Sequence, residues 1–344
     1  MEKRILYIFV CTMFISVSLT SVGANISNQF IQSNCFFDTL YVGGSGPGNY
    51  SKIQDAIDNA SNLDTVFVYN GTYDEHIIID KPILVVGQDK EKTIIDAHGY
   101  DAVLITVNFV RIEGFTIEYG ESGVIVIDSN ECKIHDNIIR FNDHHGVYAI
   151  SSLTLQISEN TISNNVLNGI NYEMSMMCCV ANNIIVDNGK YGLYIEGNSI
   201  YNEIFENKFL RNQNGIGISG QSGRNRYYEN IFKENSGKGI NIFQDCIDNR
   251  FYHNDFIKNG QSACDRGINM WDDGEKGNFW DDYDGKDWFP RDGIGDTPYI
   301  IPGGVSQDNF PLMEPYNTVN FKQLSILLFF GILNNIIELF QTIR

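Results

Sequence analysis

The stretches NIIRFN at Asn137, NTISNN at Asn160, NIIVDN at Asn183, NKFLRN at Asn207, NIFKEN at Asn230 and NDFIKN at Asn254 are six copies of one phrase: Asn, any, apolar, any, any, Asn. Their spacings are 23, 23, 24, 23 and 24 residues. A second phrase, Gly followed by alternating apolar residues, keeps the same step at Gly123, Gly146, Gly169, Gly192, Gly215 and Gly239. Two phrases held in register over six copies indicate a repeat architecture.

A period near 23 is too short for paired-helix units and suits one turn of a three-sided parallel β-coil. Leucine-rich repeats share the length, but the LxxLxL pattern is absent. After each Gly the +1 and +3 residues are apolar (Val147 and Ala149, Leu193 and Ile195, Ile216 and Ile218, Ile240 and Ile242) and are expected to face inward, with +2 and +4 facing solvent. Two further inward columns follow. One runs Ile139, Ile162, Ile185, Phe209, Phe232, Phe256, and the other Ile134, Ile157, Val180, Ile204, Tyr227, Phe251. The repeated Asn residues are expected to take left-handed backbone at the bends and to bond amide to amide from coil to coil. The fold class this predicts is all-β, a right-handed parallel β-helix.

An open solenoid exposes sheet edges at both ends, so caps are expected. Between Ser51 and Ser61, Ile53, Ala56, Ile57 and Ala60 fall at helical spacing, and Ser51 with Gln54 reads as a capping box, so a helix is expected to plug the N-terminal end. Residues 1–24 read as an export signal: Glu2, Lys3 and Arg4, an apolar run from Ile5 to Leu19, then small residues up to Ala24. An uncleaved anchor is the competing reading. The expected organisation is signal 1–24, linker 25–39, β-helix with its cap 40–270, an acidic Trp-rich cap 271–316, and an apolar tail 317–344 that could associate with a membrane. That tail holds the run Leu324 to Leu333, but Asn334, Asn335 and Glu338 count against a full span.

The formal charge is −19, and losing the signal, net +1, leaves −20. Such a balance argues against nucleic acid, whose binding relies on Lys and Arg. It suits neutral glycans, cations or plain solubility. Seven cysteines are present; Cys11 falls in the signal, and Cys132 and Cys178 fall in core columns two coils apart, so buried thiols are expected rather than disulfides.

The segment KIQDAIDNASNLDTVFVYNGTYDEHIIIDKPILVVG (52–87), the Asn and Gly repeats, and the ending GNFWDDYDG (277–285), DGIGDTPYIIPG (292–303) and DNFPLMEP (308–315) resemble the NosD-like β-helix proteins of archaea. These sit within the carbohydrate-binding and sugar-hydrolase group of the pectin-lyase-like fold. The resemblance covers residues 40–316. It implies a periplasmic or cell-surface location and, from the family's founding role, accessory work in copper-site maturation.

Four sets of residues carry chemistry. Asp284, Asp287, Asp292 and Asp296 lie in a Gly-containing loop and could converge on calcium, which takes six to eight hard oxygens. Here the chain departs from the family's denser Asp-Gly run by placing Trp288, Phe289, Pro290 and Arg291 between Asp287 and Asp292. The alternative is a solvated acidic cap with Trp271, Trp280 and Trp288 covering the last coil. Outward positions of the Gly strand supply Tyr148, Asn171, Glu173, Tyr194, Glu196, Asn241 and Phe243, aromatic faces beside amides and carboxylates that suit a sugar; ordinary sheet-surface composition is the alternative. Asp143, His144 and His145 sit at a bend and could do acid/base work, but a surface loop is the simpler reading. Met174, Met176, Met177, Cys178 and Cys179 offer soft donors for Cu(I), yet Cys178 is a core position and Met is a gap-filler, so copper is not expected. The reading is an exported, secreted or cell-surface protein, non-catalytic, that binds a glycan or cell-envelope polymer or serves as a structural part of the envelope. The alternatives are a polysaccharide lyase or hydrolase on the same fold and a copper-handling accessory protein.

Overall fold

The computed structural model describes residues 37–316. The expected signal, most of the expected linker and the expected apolar tail lie outside them. Within them the strands form three parallel sheets of 11, 10 and 9 strands, joined by short bends. The chain visits the sheets in rotation: Lys133–His135 in the first, Ile138–Arg140 in the second, Val147–Ile150 in the third, then Gln156–Ser158 in the first again. This is the expected three-sided parallel solenoid. The pairing carries each residue onto its counterpart one coil later, as in Ile139↔Ile162↔Ile185↔Phe209↔Phe232↔Phe256.

The inward columns are as expected, with Ile134 through Phe251 and Ile139 through Phe256 fully buried. Phe209, Phe232 and Phe256 stack face to face at 5.1 and 4.9 Å between centroids. Each such ring contributes about 2–3 kcal/mol of burial. The Gly that opens the second phrase is needed for close approach, since a Cβ on Gly146 would lie 2.6 Å from the Gly169 carbonyl and 2.6 Å from Ile162 Cγ2.

The repeated Asn residues do form ladders. The Asn183 Nδ2 group and its backbone N–H both donate to Asn207 Oδ1 at 3.0 Å, and the step recurs from Asn137 to Asn278. A parallel ladder runs from Asn142 to Asn259, and a third from Asn202 to Asn269. The backbone expectation needs correction. Left-handed φ falls on the residue before each ladder Asn, at Asp136, Glu159, Asn182, Glu206, Glu229 and His253, and not on the Asn itself. The strained residue makes the turn, which frees the Asn to point inward and bond along the axis.

A helix, Ile53–Asn59, stands at the N-terminal end with Ile53, Ala56 and Ile57 buried against the first strands of the first and third sheets. The Ser51–Gln54 capping box does not form. The N-cap is Lys52 without a side-chain bond, and the carboxylate of Glu75 accepts the Ile53 and Gln54 N–H groups at 2.9 and 3.1 Å. The orphan donors are met by a residue one strand away, and the Gln54 side chain instead accepts the N–H of Ile78. At the other end Trp271 stacks on Phe251 and Trp280 on Phe256, each at 4.3 Å. Trp288, expected to join them, is 67% exposed, because the loop that holds it swings out past the core. Two buried carboxylates finish this end. Asp265 accepts from Trp271 Nε1 and Asn269 Nδ2, and Asp308 accepts from Trp280 Nε1, Phe310 N–H and both donors of Asn278.

Candidate functional site

The outward face of the third sheet gathers most of the residues expected to touch a sugar. Tyr148, Asn171, Tyr194, Gly217 and Asn241 share one row across consecutive strands, and Ile150, Glu173 and Glu196 share the next. Phe243 lies beyond the strand Lys238–Ile242, in the row that continues Glu196 and Ser219. The prediction that these positions face solvent needs one correction. Asn171 and Asn241 point outward but are 3% and 9% exposed, because neighbouring rings and side chains fold over them.

Hydrogen bonds tie the face together. The Tyr148 hydroxyl donates to Glu173, Asn168 Nδ2 to Asn171 Oδ1 at 2.8 Å, Asn171 Nδ2 to Glu196 at 3.3 Å, and Asn241 Nδ2 to the Tyr191 hydroxyl at 3.3 Å. Burial, then the hydrogen bond to Glu173 and the charges of Glu173 and Glu196, push the Tyr148 phenol up to about 12, so it remains a donor. His145 packs on Tyr148 at 5.3 Å, and burial, then the positive charges of His144 and Lys190, push it down to about 4. A neutral His145 accepts the Asn168 N–H at Nδ1.

One arrangement sets this face apart. The Tyr191 hydroxyl meets an amide two coils further along, a span of about 9.6 Å at ordinary strand spacing. The ring must therefore lie along the axis, across the intervening strand Asn214–Ile218. Gly217 makes this possible, since a Cβ there would stand 2.5 Å from Tyr194 Cδ2 and 2.7 Å from Tyr191 Cε1. Two tyrosines thus lie down over a bare backbone, 4.9 Å apart. The outward aromatics of the first sheet behave differently. Phe205, Tyr228 and Tyr252 stack ring on ring at 5.0 and 5.3 Å, which spends their faces on one another.

Tyr191 and Asn168 were missed in the sequence because outward residues were sought only after the Gly, and His145 was read only as part of the bend with Asp143 and His144. Tyr191, Asn168 and His145 each sit one residue before the Gly, and aligning that column would have found them.

The other expected sites are less assembled. Asp287 accepts the Gly293 N–H at 2.9 Å, Asp292 that of Ile294 at 3.1 Å and Asp296 that of Trp288 at 2.6 Å, while Asp284 stands exposed. Among the described residues the set of three His, Cys, Asp or Glu ligand atoms within 4.8 Å of one another is Asp74, Asp96 and His98, which sequence reading did not single out. His144 pairs with Glu121 at 3.2 Å on the surface.

Comparison with known proteins follows this geometry. The model of the family described as "Periplasmic copper-binding protein (NosD)" matches residues 57–285. The chain belongs to the NosD family. A cell surface glycoprotein of Methanothermus fervidus is 34% identical over 95 residues, which is 26% of this chain and 16% of that protein, so the chain spans a small part of that relative. Pectate lyase Pel9A superposes with a TM-score of 0.56 at 13% identity over 70% of this chain and 81% of the enzyme, which shows the fold alone. An alginate lyase from Paenibacillus sp. str. FPU-7 gives 0.47 at 11% identity over 68% and 98%.

The soft-donor cluster fits the copper of the NosD description poorly. The Cys178 thiol is buried and bonded to the Ser152 and Met176 carbonyls, and burial pushes it up to about 12. Burial, with the charge of Glu203, pushes Cys179 up to about 11. Neither supplies a thiolate near neutral pH. The remaining donors, Met174, Met176 and Met177, are exposed. No helix among the described residues is long and apolar enough to cross a membrane.

Proposed function

We propose that this NosD-family chain is a non-catalytic glycan-binding protein of the cell surface or periplasm, and that the outward face of its third sheet holds the glycan. The observation that carries this reading is the pair of tyrosines lying flat over Gly217. A ring laid on the sheet offers a face to the apolar side of a pyranose, and the bordering Glu173 and Glu196 offer acceptors to its hydroxyls, while the buried Asn171 and Asn241 hold Glu196 and the Tyr191 hydroxyl in place. The family description and the matched surface glycoprotein support the location.

A glycan array followed by calorimetric titration of the best binder tests the reading. Tyr191→Ala with Tyr194→Ala should cost about 2 kcal/mol or more, roughly thirtyfold in Kd. Gly217→Val, which drives the rings off the sheet, should weaken binding similarly, while Phe205→Ala should not. Glu173 and Glu196 are Cα partners in adjacent strands and are the pair that a hydrolase would use. An assay for reducing ends and unsaturated products should therefore stay flat; turnover lost in Glu173→Gln and Glu196→Gln would replace the binding reading with the enzymatic one.

A further inference from the structure

We infer that Asp74, Asp96 and His98 form a binding site for a divalent transition metal of the Cu(II) or Zn(II) kind at one corner of the N-terminal coils. The phrase Asp-x-His occurs at 74–76 and again one coil on at 96–98, and the pairing of Gly71–Asp74 with Thr93–Asp96 sets Asp74 opposite Asp96. His98 stands between the two carboxylates, with Nε2 3.4 Å from Asp74 Oδ1 and Nδ1 3.4 Å from Asp96 Oδ1. His76, from the first phrase, packs against Tyr100 just beyond the second at 5.2 Å.

One physical feature asks for a cation here. Like charges directly opposite in adjacent strands are unfavourable. The third acid of this row, Glu118, meets Arg140 at 2.7 Å, whereas the ion-pair partner that Asp74 and Asp96 share is the imidazole. A metal ion bound by one ring nitrogen and the two carboxylates relieves this repulsion. One nitrogen and two carboxylates with open positions suit borderline divalent metals, while calcium takes more oxygens. Copper of the NosD description would then be held as Cu(II) by hard and borderline donors, at a different place from the Met and Cys residues.

Calorimetric titration of the tag-free chain with zinc or copper(II) chloride, beside electron paramagnetic resonance of the copper form, tests this. One equivalent should bind, and the copper spectrum should carry nitrogen coupling. His98→Asn, which tolerates the left-handed backbone at φ 48, and Asp96→Asn should each weaken binding at least about tenfold, and His98→Asn should remove the coupling. Asp292→Asn should change neither. Melting curves without metal check that the variants fold. Absence of binding by both metals, or binding that survives both variants, overturns the inference.

Discussion

Asp308 shows how a single residue can set a pH response. It is fully buried and takes N–H donors from Asn278, Trp280 and Phe310, yet burial outweighs them and pushes its carboxyl from 3.8 up to about 6. The folded chain therefore keeps this proton up to about pH 6, while the unfolded chain releases it near 3.8. Between those values the folded state binds more protons, so this group's contribution is complete below pH 4 and is lost as pH rises through 6. Its full size is about 3 kcal/mol. Denaturant titrations at pH steps from 3.5 to 7 should show this fall superimposed on the response of the other acids. Asp308→Asn should flatten it at some cost in overall stability, and an identical pH slope in both proteins would refute the assignment.

Among the elements, the N-terminal helix depends on Glu75. Glu75→Ala strips the acceptor from two N–H groups of its first turn and should lower stability by about 1–2 kcal/mol, while Ser51→Ala should change the melting temperature little. The cap loop offers a second test, at the expected calcium ligands. Asp287, Asp292 and Asp296 each spend one carboxylate oxygen on a backbone N–H, and calcium recruited to the others should raise the melting temperature with ion concentration. Asp292→Asn with Asp296→Asn should abolish the rise; a curve indifferent to calcium and chelator leaves the loop held by its own backbone. The strands and inward columns were legible in the sequence because a fixed step lets each coil be laid on the next. The Glu75 cap was not, since it depends on which side chain a neighbouring strand delivers. Nor was the tyrosine platform, because the posture of Tyr191 depends on what Gly217 lacks one coil later. Asp74, Asp96 and His98 escaped notice because the coils around residues 65–118 lack the Asn phrase that anchors the alignment.

Over the whole molecule, each coil touches its neighbours alone, so opening should begin at the less braced end. The amide stacks start at Asn137 and Asn142, and coils 65–118 precede them. Hydrogen exchange should be slower for strand amides between Ile134 and Phe256 than between Thr65 and Glu118; equal protection would deny the ladders a stabilising role. The ladders also have a direction, since each interior amide donates toward the next coil and the first of them stops at Asp308, which above about pH 6 accepts and has no proton to pass onward. This bears on how such a protein grows. A duplicated interior coil presents the same acceptor below and the same donor above, so gene duplication could lengthen the solenoid anywhere upstream without new chemistry. An Asn→Asp change in the middle of this ladder would act as a premature stop, so along this stack an acid in place of an amide marks where the run of amides ends.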